Sequence, residues 1–400
     1  MEPKQANPVL THFSQLSFRS RLSLISVVFW FMVSLIYDFN WKRGTYRAMM
    51  QVLVLLTIPV LMWLLRRPNQ PAPHRVSRVL AVICIGLLCR HFVRFAHTFP
   101  NPALIDVPLT TLSAAATLLQ GQNPYILPID AAAGIDPRYE GFKYLPMMAA
   151  IYLPGSIWGQ RGLLVTNLLL DLATVALVFR LSSRIGGRGA GWFAALLYVM
   201  LPLVPIEIFS KGTTDLAATV PLLIALLYLE TRPSLAGFCV GLSVSTKLFP
   251  GALFIPCCLP PSQRGRYAAG IGLGLVPTLV FLALSPQALI YNTVLFSFHR
   301  STDSTSWLHT MPPEVHLLST VVVAFALIGV AVYVWYKHPT ITDRCGIGVS
   351  CLLGVILIGP SNHRNYQLWW LPLFAVLLGT AAFRIPKRSY DPKSDQQNGS

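Results

Sequence analysis

Fifteen acidic side chains in 400 residues are few enough to be weighed one by one as acids or bases. Asp106 stands at the head of a patterned segment. The stretch IDVPLTTLSAAATLLQG spaces Leu109, Leu112, Leu118 and Leu119, with alanines between, as a helix lying on a membrane would, and Gly121 follows as its C-terminal stop. A carboxylate held by such a rigid element at a water–lipid boundary suits a general base. The same position suits an N-cap equally well, since Asp there satisfies free backbone N–H groups. Asp130, Asp136 and Glu140 lie in a stretch broken by Pro and Gly and read as solvated loop charges. Asp171 lies inside an apolar run, where an ionisable group is costly and is either functional or a structural hydrogen-bonder.

A second set of residues could hold an anion. Lys211 and Asp215 fall in FSKGTTD, Lys247 follows SVST, His299 and Arg300 lie in the 285–313 loop, and Asn362, His363, Arg364, Asn365 and Tyr366 make SNHRNY. These cations sit at the outer ends of apolar runs, against the usual bias of Lys and Arg to the cytoplasmic side. A phosphate on a lipid headgroup or substrate gives one reason for the placement, through Lys247, His363, Arg364 and Lys211; interfacial snorkelling gives another. Trp30, Trp41, Trp63, Trp158, Trp192, Trp369 and Trp370 stand at span ends as an ordinary aromatic belt, with no chemistry attached.

The elements that must position these groups follow from composition. Hydrophobic residues make up 54% of the chain and charged residues 12%, about half the charge a soluble surface carries. The chain is therefore read as all-α, a polytopic helix bundle in a membrane. Its net charge of +16 sits mostly between apolar runs, where it orients loops, so nucleic-acid binding is set aside. Runs of spanning length cover 22–38, 46–65, 78–95, 162–181, 190–208, 214–230, 267–284, 314–336, 345–360 and 366–384. Residues 235–260, interrupted by Lys247 and Pro250, read as two short helices meeting at the membrane surface, and 144–158 as re-entrant or surface-lying. Basic loops at Arg66–Arg78, Arg180–Arg188 and Arg264–Arg266, with Lys387 and Arg388, then give about twelve crossings with both termini inside.

This divides the chain into a cytoplasmic tail, 1–21, one transmembrane domain, 22–384, and a disordered cytoplasmic tail, 385–400; the main extracytoplasmic loop is 96–143. The seven cysteines lie in or beside apolar runs without metal-type spacing and read as small core residues. No cleavable signal peptide precedes the first run, which fits a multi-pass protein of a bacterial inner membrane.

No P-loop, dinucleotide fingerprint, HExxH, GxSxG or zinc spacing is present in the sequence. The motifs that are present resemble those of the GT-C superfamily of integral-membrane glycosyltransferases, most closely glycosyltransferase family 87. They are Asp106 opening the first large outer loop, a helix, Gly121-Gln122-Asn123-Pro124-Tyr125, and the Lys143-Tyr144-Leu145-Pro146 lead-in to the next helix. Gly212-Thr213-Thr214-Asp215, Ser245-Thr246-Lys247-Leu248-Phe249-Pro250 and SNHRNY follow. The resemblance runs over about residues 100–375.

It implies a polyprenyl-phosphate sugar as donor, delivering a sugar, mannose by the family's habit, to a lipid or glycan acceptor at the extracytoplasmic face with inversion. Asp106 takes the role of base. Lys247, His363, Arg364 and Lys211 hold the donor phosphate, and Asn123, Tyr125, Tyr144 and Asp215 belong to the acceptor or loop site. Direct displacement needs one base rather than a carboxylate pair, so no cofactor is called for. A divalent metal would need a second acid beside Asp106, which the pattern does not place. The competing expectation is a secondary transporter or flippase of lipid-linked sugars, which would need a buried polar path through the middle of the bundle.

Overall fold

The structure, a computed structural model, describes residues 73–129, 141–260, 262–296, 312–358 and 363–383. The runs 22–38 and 46–65, Asp130, Asp136, Glu140, His299, Arg300 and Asp303 lie outside the described residues. Everything described is helix, turn or connecting loop, so the expected all-α bundle is the fold found.

Helix α1, Pro73–Thr98, is followed by α2, Asp106–Leu119. Gly121 ends α2 in the left-handed region (φ 70°), where only glycine sits without cost. The Gln122 N–H then reaches the Thr117 carbonyl and the Gly121 N–H that of Leu118, the pair of bonds of a Schellman cap. The buried face of α2 is made of Pro108, Thr111, Ala114 and Ala115, small enough for close approach, while Leu109 and Leu119 stay exposed. Segment 144–158 forms α3, Pro146–Ile151, and α4, Leu153–Ser156, of six and four residues, far too short to span a bilayer.

Helix α5, Gly159–Met200, has 42 residues in two limbs joined at Gly187 (φ 81°, ψ 176°), a conformation open to glycine. Tyr198 hydrogen-bonds Asp171, 27 residues earlier, so the limbs lie side by side. The run expected to continue to 208 stops at Met200. Pro202 and Pro205 follow, and neither offers an N–H to prolong the helix. A single turn, Leu203–Pro205, and a π turn, Ile206–Ser210, lead instead to α6, Leu216–Tyr228.

Helices α7, Pro233–Thr246, and α8, Leu248–Cys257, meet at Lys247, as expected, and the Lys247 side chain is buried within the protein. Helices α9, Arg264–Gly274, and α10, Val276–Leu284, bend by 49° at Leu275. A short α11, Pro286–Ile290, and a second π turn, Tyr291–Leu295, follow; then come α12, Pro313–Lys337, α13, Ile341–Ile358, a 3-10 turn, Arg364–Tyr366, and α14, Gln367–Phe383. Among the described residues two helices are long and apolar enough to cross a membrane, within α1 and α5, or three if the bent α9–α10 pair is one span.

Packing between α7 and α9 is backbone against backbone. A Cβ on Gly237 would stand 2.0 Å from the Tyr267 carbonyl oxygen, and one on Gly270 2.1 Å from that of Ser234. Small residues at a helix interface permit this approach in membranes. Gly270→Val should therefore push the pair apart and lower the melting temperature in detergent by an amount worth about 1–3 kcal/mol. Gly272, with open space where its Cβ would be, should accept Ala without loss.

Candidate active site

Between Met200 and Leu216 the backbone leaves regular helix inside an apolar bundle, and its carbonyls need partners there. Side chains supply them. The Arg90 Nη2 donates to the carbonyls of Val199 (3.0 Å) and Met200 (2.8 Å), the last of α5. The Asn167 Nδ2 donates to those of Ile208 (2.9 Å) and Thr213 (3.2 Å). The Glu207 carbonyl accepts the Thr213 N–H at 2.9 Å and the Thr213 hydroxyl at 3.1 Å. Gly212 takes φ 72°, and the Leu104 side chain lies 2.7 Å from where its Cβ would be, so only glycine fits. The broken segment is thus fixed, and it carries Glu207, Lys211 and Asp215.

Asp215 is a hub. Its Oδ1 accepts from the Lys247 Nζ at 2.6 Å and from the Trp369 indole at 2.7 Å, and its Oδ2 from the Asn365 amide at 2.7 Å. Asp215 is fully buried and Lys247 is 5% exposed. The Lys247 ammonium also lies 4.9 Å from the Tyr144 ring centre and 5.6 Å from that of Trp369, within cation–π range. Trp369, taken from sequence as part of the interfacial belt, is instead a buried donor to the site acid. Asn365 lay in a motif already singled out; it stands in the 3-10 turn that leads into α14, and Trp369 in the first turn of α14.

A second carboxylate, Glu207, is also buried and holds the Lys211 Nζ at 2.7 Å; the lysine side chain is 38% exposed. That pair was legible in the sequence as an acid and a lysine four apart. Asp171, the intramembrane acid, takes the structural alternative: its Oδ2 lies 2.6 Å from the His91 Nδ1 and its Oδ1 accepts the Tyr198 hydroxyl at 2.9 Å.

Asp106 is different. It occupies the first turn of α2 but makes no capping hydrogen bond, so the N-cap alternative is not the one realised. Its side chain is exposed. Among the six acids whose side chains are described, the other five each have a bonded partner and Asp106 has none. The Ile105 N–H donates to the Lys211 carbonyl at 3.2 Å, which ties the start of α2 to the cation-bearing loop.

The remaining expected site residues divide. Asn123 donates to the Ser285 hydroxyl at 2.8 Å and accepts the Tyr125 N–H at 2.9 Å. The Tyr125 hydroxyl in turn donates to the Tyr144 carbonyl at 2.8 Å. These residues lock loop to loop, and through Tyr144 they place one wall of the Lys247 box. His363 is half-buried, edge-on to Tyr366 at 5.5 Å, and Tyr366 stacks on Trp369 at 4.4 Å, which brings residues 363–366 to Asp215. Arg364 opens the 3-10 turn in that segment; its side chain lies outside the described residues.

With this geometry established, residues 142–360 match the model of glycosyltransferase family 87, more than half of the chain. The chain belongs to glycosyltransferase family 87. The match takes in Asp215 and Lys247; Asp106 precedes it and His363 follows it. Over 178 residues the family member is 23% identical to GPI mannosyltransferase 1 of Saccharomyces cerevisiae, covering 42% of this chain. It spans 41%, about two fifths, of that relative's length.

In three dimensions it resembles the crystal structure of ArnT from Cupriavidus metallidurans bound to undecaprenyl phosphate, with a TM-score of 0.52 at 14% identity. That likeness covers 78% of this chain and 62% of that one, and it is one of fold. The GT-C bundle expected from the sequence is therefore the architecture found.

The Asp215–Lys247 pair makes a sharp stability prediction. Lys247→Met leaves a buried carboxylate without its counter-charge and should cost about 3–5 kcal/mol. Lys247→Met combined with Asp215→Asn should recover part of that loss, read as the melting temperatures of both variants in one detergent.

Proposed function

We propose that this family 87 protein is a membrane glycosyltransferase that moves a sugar, mannose in the first instance, from a polyprenyl-phosphate donor to a lipid or glycan hydroxyl. The transfer takes place at the extracytoplasmic face of a bacterial inner membrane. The observation that carries the reading is the unpartnered carboxylate of Asp106. A general base needs an available lone pair within reach of solvent and substrate. The locked oxygens of Asp215 and Asp171 and the buried, lysine-bound Glu207 fit that need worse. The relatives support a lipid-linked donor: one is named a mannosyltransferase and the other was solved with undecaprenyl phosphate.

In the proposed reaction the acceptor oxygen attacks the anomeric carbon from the face opposite the phosphate, while Asp106 takes the hydroxyl proton. The C–O bond to phosphate breaks, the anomeric centre inverts, and the polyprenyl phosphate leaves with one more negative charge. That charge needs cations. Lys211, exposed over a third of its side chain and one hydrogen bond from the Asp106 loop, is the accessible one. Lys247, neutralised by Asp215, forms the buried end of the proposed site, and His363 and Arg364 are the further residues proposed to contact the phosphate.

The test uses purified full-length protein in nanodiscs with radiolabelled polyprenyl-phosphate mannose and a lipid extract of the source organism. Asp106→Asn should lower transfer by about 10²–10⁴-fold with donor binding within twofold of wild type. Transfer by the variant within tenfold of wild type would move the base elsewhere. A wild-type protein that neither binds nor uses any polyprenyl-phosphate sugar would overturn the assignment.

A further inference from the structure

Asn167 lies in the first limb of α5, is 1% exposed, and takes no part in the chemistry proposed above. Its amide is nevertheless fully engaged in three directions. The two Nδ2 donations go to the carbonyls of Ile208 and Thr213, one three residues before Lys211 and one two residues after it. Its Oδ1 accepts the hydroxyl of Tyr152 at 2.6 Å. Tyr152 is fully buried and is the residue where α3 ends and α4 begins. It belongs, with Ala149 and Met148, to the apolar cluster onto which Ala114 of α2 packs.

These contacts close a circuit. From Asp106 the chain runs back one residue to Ile105, whose N–H binds the Lys211 carbonyl. Lys211 is bracketed by the two carbonyls that Asn167 holds. Asn167 then leads through Tyr152 to α3 and α4, and these pack under α2, which begins at Asp106. One amide therefore joins the helix that carries the base to the loop that carries the accessible cation. No other side chain of this size supplies two diverging donors and an acceptor: Asp lacks the donors, Leu lacks all three functions, and Gln is a methylene too long.

We propose that Asn167 is a positioning residue that sets the spacing between Asp106 and Lys211 by holding the Ile206–Asp215 segment against the α3–α4 corner. The proposal rests on the reading of Asp106 as base and Lys211 as the phosphate-side cation. Proton removal and leaving-group stabilisation act on one substrate at once, so their separation must match its geometry, and a displacement of about 1 Å costs about 10²-fold in rate.

The experiment uses full-length protein in nanodiscs with the polyprenyl-phosphate mannose assay and two variants, Asn167→Leu and Tyr152→Phe. Asn167→Leu should lower kcat about 100-fold with the donor KM within threefold. Tyr152→Phe, which removes one hydrogen bond and keeps the ring, should lower kcat about fivefold. A second readout needs no catalysis. Cysteines replacing Ile105 and Lys211, neighbours across the hydrogen bond between their backbones, are oxidised with copper-phenanthroline, and the rate of disulfide formation is compared with and without Asn167→Leu.

A drop of tenfold or more in that rate supports the proposal. An unchanged rate overturns it, whatever kcat does. A fall in kcat matched by an equal rise in donor KM overturns it too, since that marks lost binding rather than lost alignment. If Asn167→Leu does not purify as a monodisperse protein, Tyr152→Phe carries both readouts. The cross-linking result stands even if Asp106→Asn keeps its activity, so a failure of the base assignment is distinguishable from a failure of the spacing argument.

Discussion

Carbonyls released where α5 stops, in buried surroundings with no water to take them, are the constraint around which the Asp106–Asp215 end of this bundle is organised. Each such group left unpaired in an apolar medium costs several kcal/mol, so a helix can break there only if side chains replace the lost N–H partners. Arg90 takes two carbonyls and Asn167 takes two more, from helices that precede the break in sequence. Because those donors sit on rigid helices, the broken segment inherits their rigidity. Residues on a loop are thereby held almost as firmly as residues on a helix.

Charge follows the same logic. A buried ion is tolerable when paired and fully hydrogen-bonded. Asp215 meets that condition through Lys247, Trp369 and Asn365, and Asp171 through His91 and Tyr198. Pairing also removes each of these acids from reactivity, since its lone pairs are spent. Asp106 escapes because it stands at the exposed start of a helix lying over the bundle. It needs no partner there, so its lone pairs stay available. Burial with pairing thus sets Asp171, Glu207 and Asp215 apart as anchors, while exposed Glu230 and Asp343 are held by Arg184 and Thr340, which leaves Asp106 as the candidate base.

The sequence displayed the helices and the placement of Asp106 for local reasons. Apolar runs, prolines at helix starts and a glycine stop at Gly121 act within a few residues, and the interruption at Lys247 is visible as a charge and a proline in an apolar stretch. What remained hidden was long-range. Nothing near Trp369 distinguishes it from the other span-end tryptophans, because its partner Asp215 is 154 residues away. Asn167 looks like one polar residue in an apolar helix, and its role depends on carbonyls 41 and 46 residues downstream. The run 190–208 reads as one span by hydropathy, which does not register that Pro202 and Pro205 withdraw the N–H groups the helix needs.

The depth of the Asp215–Lys247 pair bears on how substrates would reach it. Helices α6 and α7, of 13 and 14 residues, are about 20 Å long, short of the ~30 Å of hydrocarbon. Asp215 stands just before α6 and Lys247 just after α7, so the pair sits at one shared end of these two short helices. Neighbouring helices give the level: the Ser245 hydroxyl donates to the Gly274 carbonyl at 2.9 Å and accepts that of Thr278 at 3.0 Å. Helix α10 then continues from Thr278 to Leu284, about 9 Å along its own axis. The Asp215–Lys247 pair thus lies near the level of Thr278, and α10 extends beyond it. A sugar whose phosphate hangs from a polyprenyl tail, as proposed here, would meet the site from the lipid side, while an acceptor hydroxyl would meet Asp106 at the exposed start of α2. On the proposed reading that separation would keep the two substrates on opposite sides of the anomeric carbon, which displacement with inversion requires.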